Sequence, residues 1–173
     1  KTEIEMFYDE KFTLSLSSVE VHEWLELFNL DLTEGVGVLL SKVITKLKKN
    51  GDFSFEELYE KIDELEKNNG YCETLKEKFR LLERLNLFSK KGMKSRIAIG
   101  GKITVLDISY LGRLGKYDLR NLIISIFARK QITERTLYTT LEMQSQAGLI
   151  EKDRLEDITE EHPLIYMMID EAH

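Results

Sequence analysis

From residue 4 to residue 16 apolar and polar side chains alternate: Ile4, Met6 and Tyr8, then Phe12, Leu14 and Leu16. A period of two is the signature of a strand, whose successive side chains point to opposite faces. Asp9-Glu10-Lys11 between the two runs fits a turn, so short strands or a hairpin are predicted. The period then lengthens. Val21, Trp24, Leu25 and Phe28 share one face of a helix that Ser18 is placed to cap. Thr33 can start a second helix carrying Val36, Leu39, Leu40, Val43, Ile44 and Leu47, closed by Lys48-Lys49-Asn50-Gly51. That ending combines a basic last turn with residues that stop helices. Ser54-Phe55-Glu56-Glu57 has the form of a capping box and opens a helix with Phe55, Leu58, Ile62 and Leu65 inward, ending near Asn68-Asn69-Gly70. A fourth helix is predicted from Tyr71 to Asn86, with Leu75, Phe79, Leu82 and Leu85 as its buried stripe.

Beyond these four helices the pattern changes. Ser95 to Ile99 and Lys102 to Ile108 read as strands on either side of Gly100-Gly101. The second is nearly all apolar, as strands buried on both faces of a parallel sheet are. A long helix follows from Tyr117 with Leu122, Ile123, Ile126 and Phe127 as its packing stripe, then a charged connection from Glu151 to His162 and an apolar strand from Leu164 to Ile169. Strand, helix, strand is a crossover unit and points to an α/β sheet. The expected class is therefore α+β or α/β: short strands over 1–18, an α-helical unit over 19–94, and an α/β segment over 95–173.

Composition adds bounds. With 173 residues, 42% hydrophobic and 32% charged, the chain is globular in type and can bury a substantial core. A net charge of -6 argues against a surface that is basic throughout but leaves room for a local basic patch. Cys72 is the only cysteine, which excludes an intrachain disulfide and a cysteine-based zinc site and fits a reducing, cytoplasmic setting. No apolar run approaches the roughly 20 residues of a membrane helix. Lys1-Thr2-Glu3-Ile4 has neither an initiator Met nor the form of a signal peptide, so residues upstream are expected in the gene.

The chemistry-bearing motif is Pro163-Leu164-Ile165-Tyr166-Met167-Met168-Ile169-Asp170-Glu171-Ala172-His173. An apolar strand ending in Asp-Glu is what nucleotide hydrolysis on a P-loop fold requires, the Walker B element. The strand carries an Asp to the carboxyl edge of the sheet, where phosphates bind, and there it holds the Mg²⁺ shell. The adjacent Glu polarises the attacking water. Asp170 and Glu171 fit these roles, against the plainer reading of an acidic pair at a strand end. The partner motif G-x-x-x-x-G-K-[ST] is missing: around Gly100-Gly101-Lys102, Arg96 stands in place of the first Gly and Ile103 in place of Ser or Thr. That segment also leads into a strand, whereas a phosphate loop opens a helix. The phosphate-binding half is expected upstream of Lys1, and this chain alone is expected not to hydrolyse ATP.

Gly101-Lys102-Ile103-Thr104-Val105-Leu106-Asp107-Ile108-Ser109, the helix with Arg120 and Arg129, and the Pro-led strand into Asp-Glu-Ala-His together resemble the HerA family of hexameric P-loop ATPases, relatives of FtsK. The resemblance is specific over residues 100 to 173; before that it is one of layout, residues 19 to 90 corresponding to a helical insertion between the early ATPase strands and this segment. It implies part of a RecA-like parallel sheet, ATP and Mg²⁺ as cofactors, translocation on double-stranded DNA, self-assembly into a hexameric ring, and a NurA-type nuclease partner. It also implies a role for His173 in coupling nucleotide state to DNA. The connection from Thr133 to Glu161 is longer than the family's layout. Superfamily 2 helicases carry the same Asp-Glu-Ala-His, but the strand ending Asp107-Ile108-Ser109 one helix earlier favours the HerA resemblance.

A non-catalytic alternative is a winged-helix-like DNA-binding or protein-interaction domain. Tyr71 to Phe88, ending in Leu81 to Phe88 and followed by Lys90, Lys91, Lys94 and Arg96 before a possible hairpin, looks like a recognition helix and wing, and Arg84 to Lys102 contains no acidic residue. Basic side chains there would contact phosphates, which set affinity and not sequence choice; the plain reading is a solvated basic loop after a helix. His22 and His162 read as surface residues, Cys72 as packing, and Asp107 either as a group near the nucleotide or as a strand-ending cap.

Overall fold

The first strand, β1 (Glu3–Phe7), does not fold back on its sequence neighbour. It lies parallel to β4 (Lys102–Leu106), with Glu3 opposite Lys102 and Phe7 opposite Leu106. A second short ladder joins β2 (Leu14–Ser15) to β3 (Phe88–Ser89), again in parallel. Of the two expectations for residues 4–16, short strands or a hairpin, the structure shows short strands, each paired with a strand distant in sequence, which local alternation cannot distinguish from a hairpin. The computed structural model describes residues 3–7, 13–67, 69–92, 102–149 and 166–169. Among these residues there are six α-helices and two two-stranded parallel sheets, an α+β structure.

The chain divides into two units. One comprises Tyr8–Lys94 and Ile108–Leu122, the other Lys1–Phe7, Ser95–Asp107 and Ile123–His173. In the first, a 3-10 turn (Leu16–Ser18) precedes α1 (Val21–Phe28), α2 (Gly35–Lys48), α3 (Phe55–Leu65) and α4 (Asn69–Glu83). Ser18 caps no helix: its hydroxyl donates to the Ser15 carbonyl at 2.6 Å. Glu20 takes the N-cap of α1, and its backbone N–H donates to the Glu23 carboxylate at 2.7 Å. Thr33 is likewise displaced by Glu34 as the cap of α2, because its amide and hydroxyl both donate to Asp31 at 2.8 Å and form a local turn. Asn29 ends α1 in the left-handed conformation, with φ 50°. Ser54 and Glu57 form the expected capping box at α3.

The core of this unit is the apolar stripe of each helix. Trp24, Leu40, Val43, Ile44, Leu58, Ile62, Leu75 and Phe79 are fully buried. Trp24 meets Phe79 edge-on at 5.1 Å between ring centroids, and Phe28 meets Phe79 at 5.0 Å, a geometry favoured by the ring quadrupoles. Leu65 and Leu85 are only half-buried, at the ends of their stripes. At Gly37 a Cβ would stand 1.9 Å from the Asp31 carbonyl oxygen, so the chain entering α2 approaches that helix as closely as glycine alone permits. The Tyr59 hydroxyl donates to Glu83 at 2.8 Å and ties α3 to α4. Burial and this carboxylate push the phenol's pKa up. Lys76 joins the same helices through Asp63 at 2.5 Å.

The strand expected over Lys102 to Ile108 stops at Leu106, and a short helix, α5 (Ser109–Arg113), follows. Its side chains alternate instead of being buried on both faces: Ile103 is 49% exposed and Val105 37%. The long helix, α6 (Tyr117–Gln146), buries Leu122, Ile123, Ile126 and Phe127 as expected. It continues through the first half of what the sequence suggested was a connection from Thr133, and Tyr138 is buried in that extension. The strand expected over Leu164 to Ile169 is not formed in its described part: Tyr166–Ile169 carries no regular structure, with Tyr166 88% and Met168 91% exposed. No third strand in the described sheet offers these backbone groups a partner. The strand and turn expected over residues 95–101 lie outside the described residues.

Candidate functional site

The residues to which the sequence assigns chemistry fall into two groups. Asp170, Glu171 and His173 lie outside the described residues, as do Lys94, Arg96 and His162. Lys90, Lys91 and Asp107 are described. Asp107 is exposed just after β4, directly before the residue that caps α5.

Lys90 follows β3 and is held by its neighbours. Its ammonium donates to Glu57 Oε1 at 2.7 Å, and its carbonyl oxygen lies 3.1 Å from the Ser15 hydroxyl. Ser15 and Ser17 share the Asp52 carboxylate, with Ser15 Oγ 3.1 Å from Oδ1 and 2.7 Å from Ser17 Oγ. The Ser89 hydroxyl donates to Thr13 Oγ1 at 3.1 Å, and the Gly92 amide donates to Ser89 Oγ at 3.0 Å. At Gly92, with φ +59°, a Cβ would stand 2.4 Å from the Ser15 amide nitrogen. This network stitches the short β2–β3 ladder to the start of α3. Sequence reading missed it because its partners, up to 76 positions apart between Thr13 and Ser89, carry no local pattern.

The electrostatics of this junction are structural. Glu57's carboxyl is held below the ordinary range, first by the Lys90 ammonium and then by the Ser54 backbone N–H. Lys90 is exposed and pairs with an intramolecular carboxylate, and Lys91 beside it is exposed too. On α4, the helix proposed for recognition, Glu73 and Glu77 are exposed and Arg80 is shared between them at 3.4 and 3.3 Å. That face is acidic and internally paired, unlike one that meets phosphates.

The remaining candidates resolve simply. Cys72 is buried, its thiol donates to the Glu66 carbonyl at 3.3 Å, and burial pushes its pKa up, which disfavours the nucleophilic thiolate. His22 is exposed on α1. Among the described residues no group of His, Cys, Asp and Glu is arranged to hold a metal ion, and no helix is long and apolar enough to cross a membrane. Comparison of the chain with protein-family models, with curated proteins and with solved structures gives no match.

Proposed function

We propose that this chain is a segment of a HerA-like ATP-driven DNA motor, in which a helical unit interrupts a RecA-like parallel sheet. The observation that carries the reading is the in-register parallel pairing of β1 with β4. Residues 8–101 intervene, so two neighbouring parallel strands are separated in sequence by a stretch whose described part holds α1 to α4 and the short β2–β3 ladder. That is the layout the resemblance implies. In this reading Leu164–Ile169 joins the sheet when the strand bearing the phosphate loop is present. Tyr166 and Met168 expose apolar side chains that such pairing would cover. ATP with Mg²⁺ supplies the hydrolysable phosphoanhydride and its charge neutralisation; Asp170 would hold the ion and Glu171 would orient water. Double-stranded DNA, a hexameric ring of copies and a NurA-type nuclease are the partners the resemblance implies.

The test is substitution of Glu171 by Gln in the protein that carries both this segment and an upstream G-x-x-x-x-G-K-[ST]. ATP should still bind while turnover falls at least 100-fold, about the contribution of a general base. Turnover unchanged by the substitution contradicts the reading.

The exposed Lys91 favours a second reading, in which the segment after β3 touches a nucleic-acid backbone through Lys91, Lys94 and Arg96. Reversing these three charges would then weaken duplex binding and flatten its salt dependence. Unchanged affinity and salt slope would remove this reading.

A further inference from the structure

The chain contains Asn50-Gly51 and Asn69-Gly70. In an Asn-Gly pair the glycine amide nitrogen can reach the preceding side-chain amide, because the second residue has no side chain to block the approach. Closing that ring eclipses the Cα–Cβ bond with the following C–N bond, a ψ outside the helical range. The fold treats the two pairs differently. Asn69 and Gly70 open α4, and the Gly70 carbonyl accepts the Thr74 hydroxyl at 2.7 Å, so ring closure there requires unwinding the first turn. Asn50 and Gly51 lie beyond the last residue of α2 and are exposed, as are Lys49 and Asp52 on either side. Gly51 has φ +98°, and no atom stands within 4 Å of where its Cβ would be. The restraint on this pair is the bond from the Gly51 amide to the Lys48 carbonyl, at 3.2 Å. It sits at a helix end, where local opening costs little free energy.

We propose that Asn50 is a site of spontaneous covalent modification, deamidation through a cyclic imide. The Gly51 nitrogen attacks Asn50 Cγ, forming a C–N bond while the bond from Cγ to the side-chain nitrogen breaks. The proton from the Gly51 amide passes through solvent to the departing group, which leaves as ammonia. Water then opens the ring at either carbonyl and gives aspartate or isoaspartate at position 50. Nothing is oxidised or reduced: asparagine and water become an acid and ammonia.

Both products place a carboxylate beside Lys49 and four positions after Lys46, two exposed ammonium groups that favour it. They differ in the main chain. Isoaspartate routes the backbone through one additional carbon, in the segment that leads from α2 to an anchored junction. There Asp52 accepts the Ser15 and Ser17 hydroxyls, Phe53 is buried, and Ser54 caps α3. Isoaspartate therefore loosens the junction, whereas aspartate keeps the segment at its native length. The site belongs to the helical unit and is independent of the motor reading.

Peptide mapping by mass spectrometry of the 173-residue chain, aged at neutral pH in the folded state and in guanidinium, tests the proposal. In the folded chain the earliest product should be at position 50, at a rate within about tenfold of its unfolded rate, as the low cost of opening a helix end implies. Asn69 should fall further below its own unfolded rate. The rate at Asn50 should rise with hydroxide concentration, because the deprotonated amide nitrogen is the attacking species. An isoaspartate-specific carboxyl methyltransferase should methylate the aged chain, and Asn50→Gln should remove most of that acceptance, since glutamine must close a larger ring. Aged chain carrying isoaspartate at position 50 should unfold at lower urea than the Asn50→Asp variant. An Asn50 protected by folding as strongly as Asn69, or methyl acceptance undiminished in Asn50→Gln, overturns the proposal. Equal urea midpoints for the isoaspartate chain and Asn50→Asp would overturn the link to the junction.

Discussion

Lys90 Nζ lies 2.7 Å from Glu57 Oε1, and the same Glu57 closes the capping box that starts α3. A residue that the sequence offers as a DNA or subunit contact, or as part of a solvated basic loop, thus also pairs with a helix N-terminus. Lys90→Glu should destabilise the helical unit by roughly 0.2–1 kcal/mol, the usual range for a half-exposed ion pair, with like-charge repulsion added. Lys91→Glu should stay within about 0.5 kcal/mol of the unaltered chain. Urea denaturation of both variants distinguishes them.

The same contact predicts a pH dependence. Glu57's carboxyl is depressed in the fold by Lys90 and by the Ser54 amide. A depressed acid contributes stability that is present above its unfolded pKa, about 4.3, and is lost as pH falls through the lower folded value. The urea midpoint should therefore drop as pH falls from about 5 toward 3, and Lys90→Met should shrink Glu57's share of that drop. Denaturation curves at several pH values measure both.

Ser54→Ala removes the side-chain acceptor of the Glu57 amide and should cost about 1 kcal/mol, within the 0.5–2 kcal/mol range for N-caps. Ser18→Ala should cost less, because Ser18 bonds a turn carbonyl and caps no helix. Thermal melts of the two variants compare them directly.

Within the aromatic core, Phe79→Ala should cost about 3–5 kcal/mol, the usual loss on truncating a fully buried phenylalanine. Trp24→Phe should be far milder, near 1 kcal/mol. Trp24 Nε1 is buried without a hydrogen-bond partner, so the change trades lost contact area against the removal of an orphan donor. Chemical denaturation monitored by circular dichroism separates the two.

The helices of the first unit were legible because their apolar residues recur at helical spacing and because Ser54-Phe55-Glu56-Glu57 and Lys48-Lys49-Asn50-Gly51 punctuate them. Their starts were less legible: Ser18 and Thr33 are good caps by type but are captured by Ser15 and Asp31 close by. The parallel partners of β1 and β2 could not be read locally, since the alternation that suggests a strand is silent on its neighbour. The extent of α6 was hidden for another reason. Ile132, Leu137 and Met143 are 63–65% exposed, so beyond Phe127 the helix lacks the one-sided stripe that reveals amphipathic helices. Of the candidate site, the acid pair is a compact motif that sequence displays plainly. The pairing of Lys90 with Glu57 spans 33 positions, and only the fold brings the two together.

The central claim, that this segment supplies the Walker B acids of an ATPase interrupted by a helical unit, is tested most directly by ATP turnover. In the protein that joins this segment to an upstream phosphate loop, turnover should be present with Glu171 and fall at least 100-fold with Glu171→Gln, while the 173-residue chain alone should show none. Turnover by the 173-residue chain itself that is lost with Glu171→Gln, or full turnover in the longer protein carrying Glu171→Gln, would contradict the account.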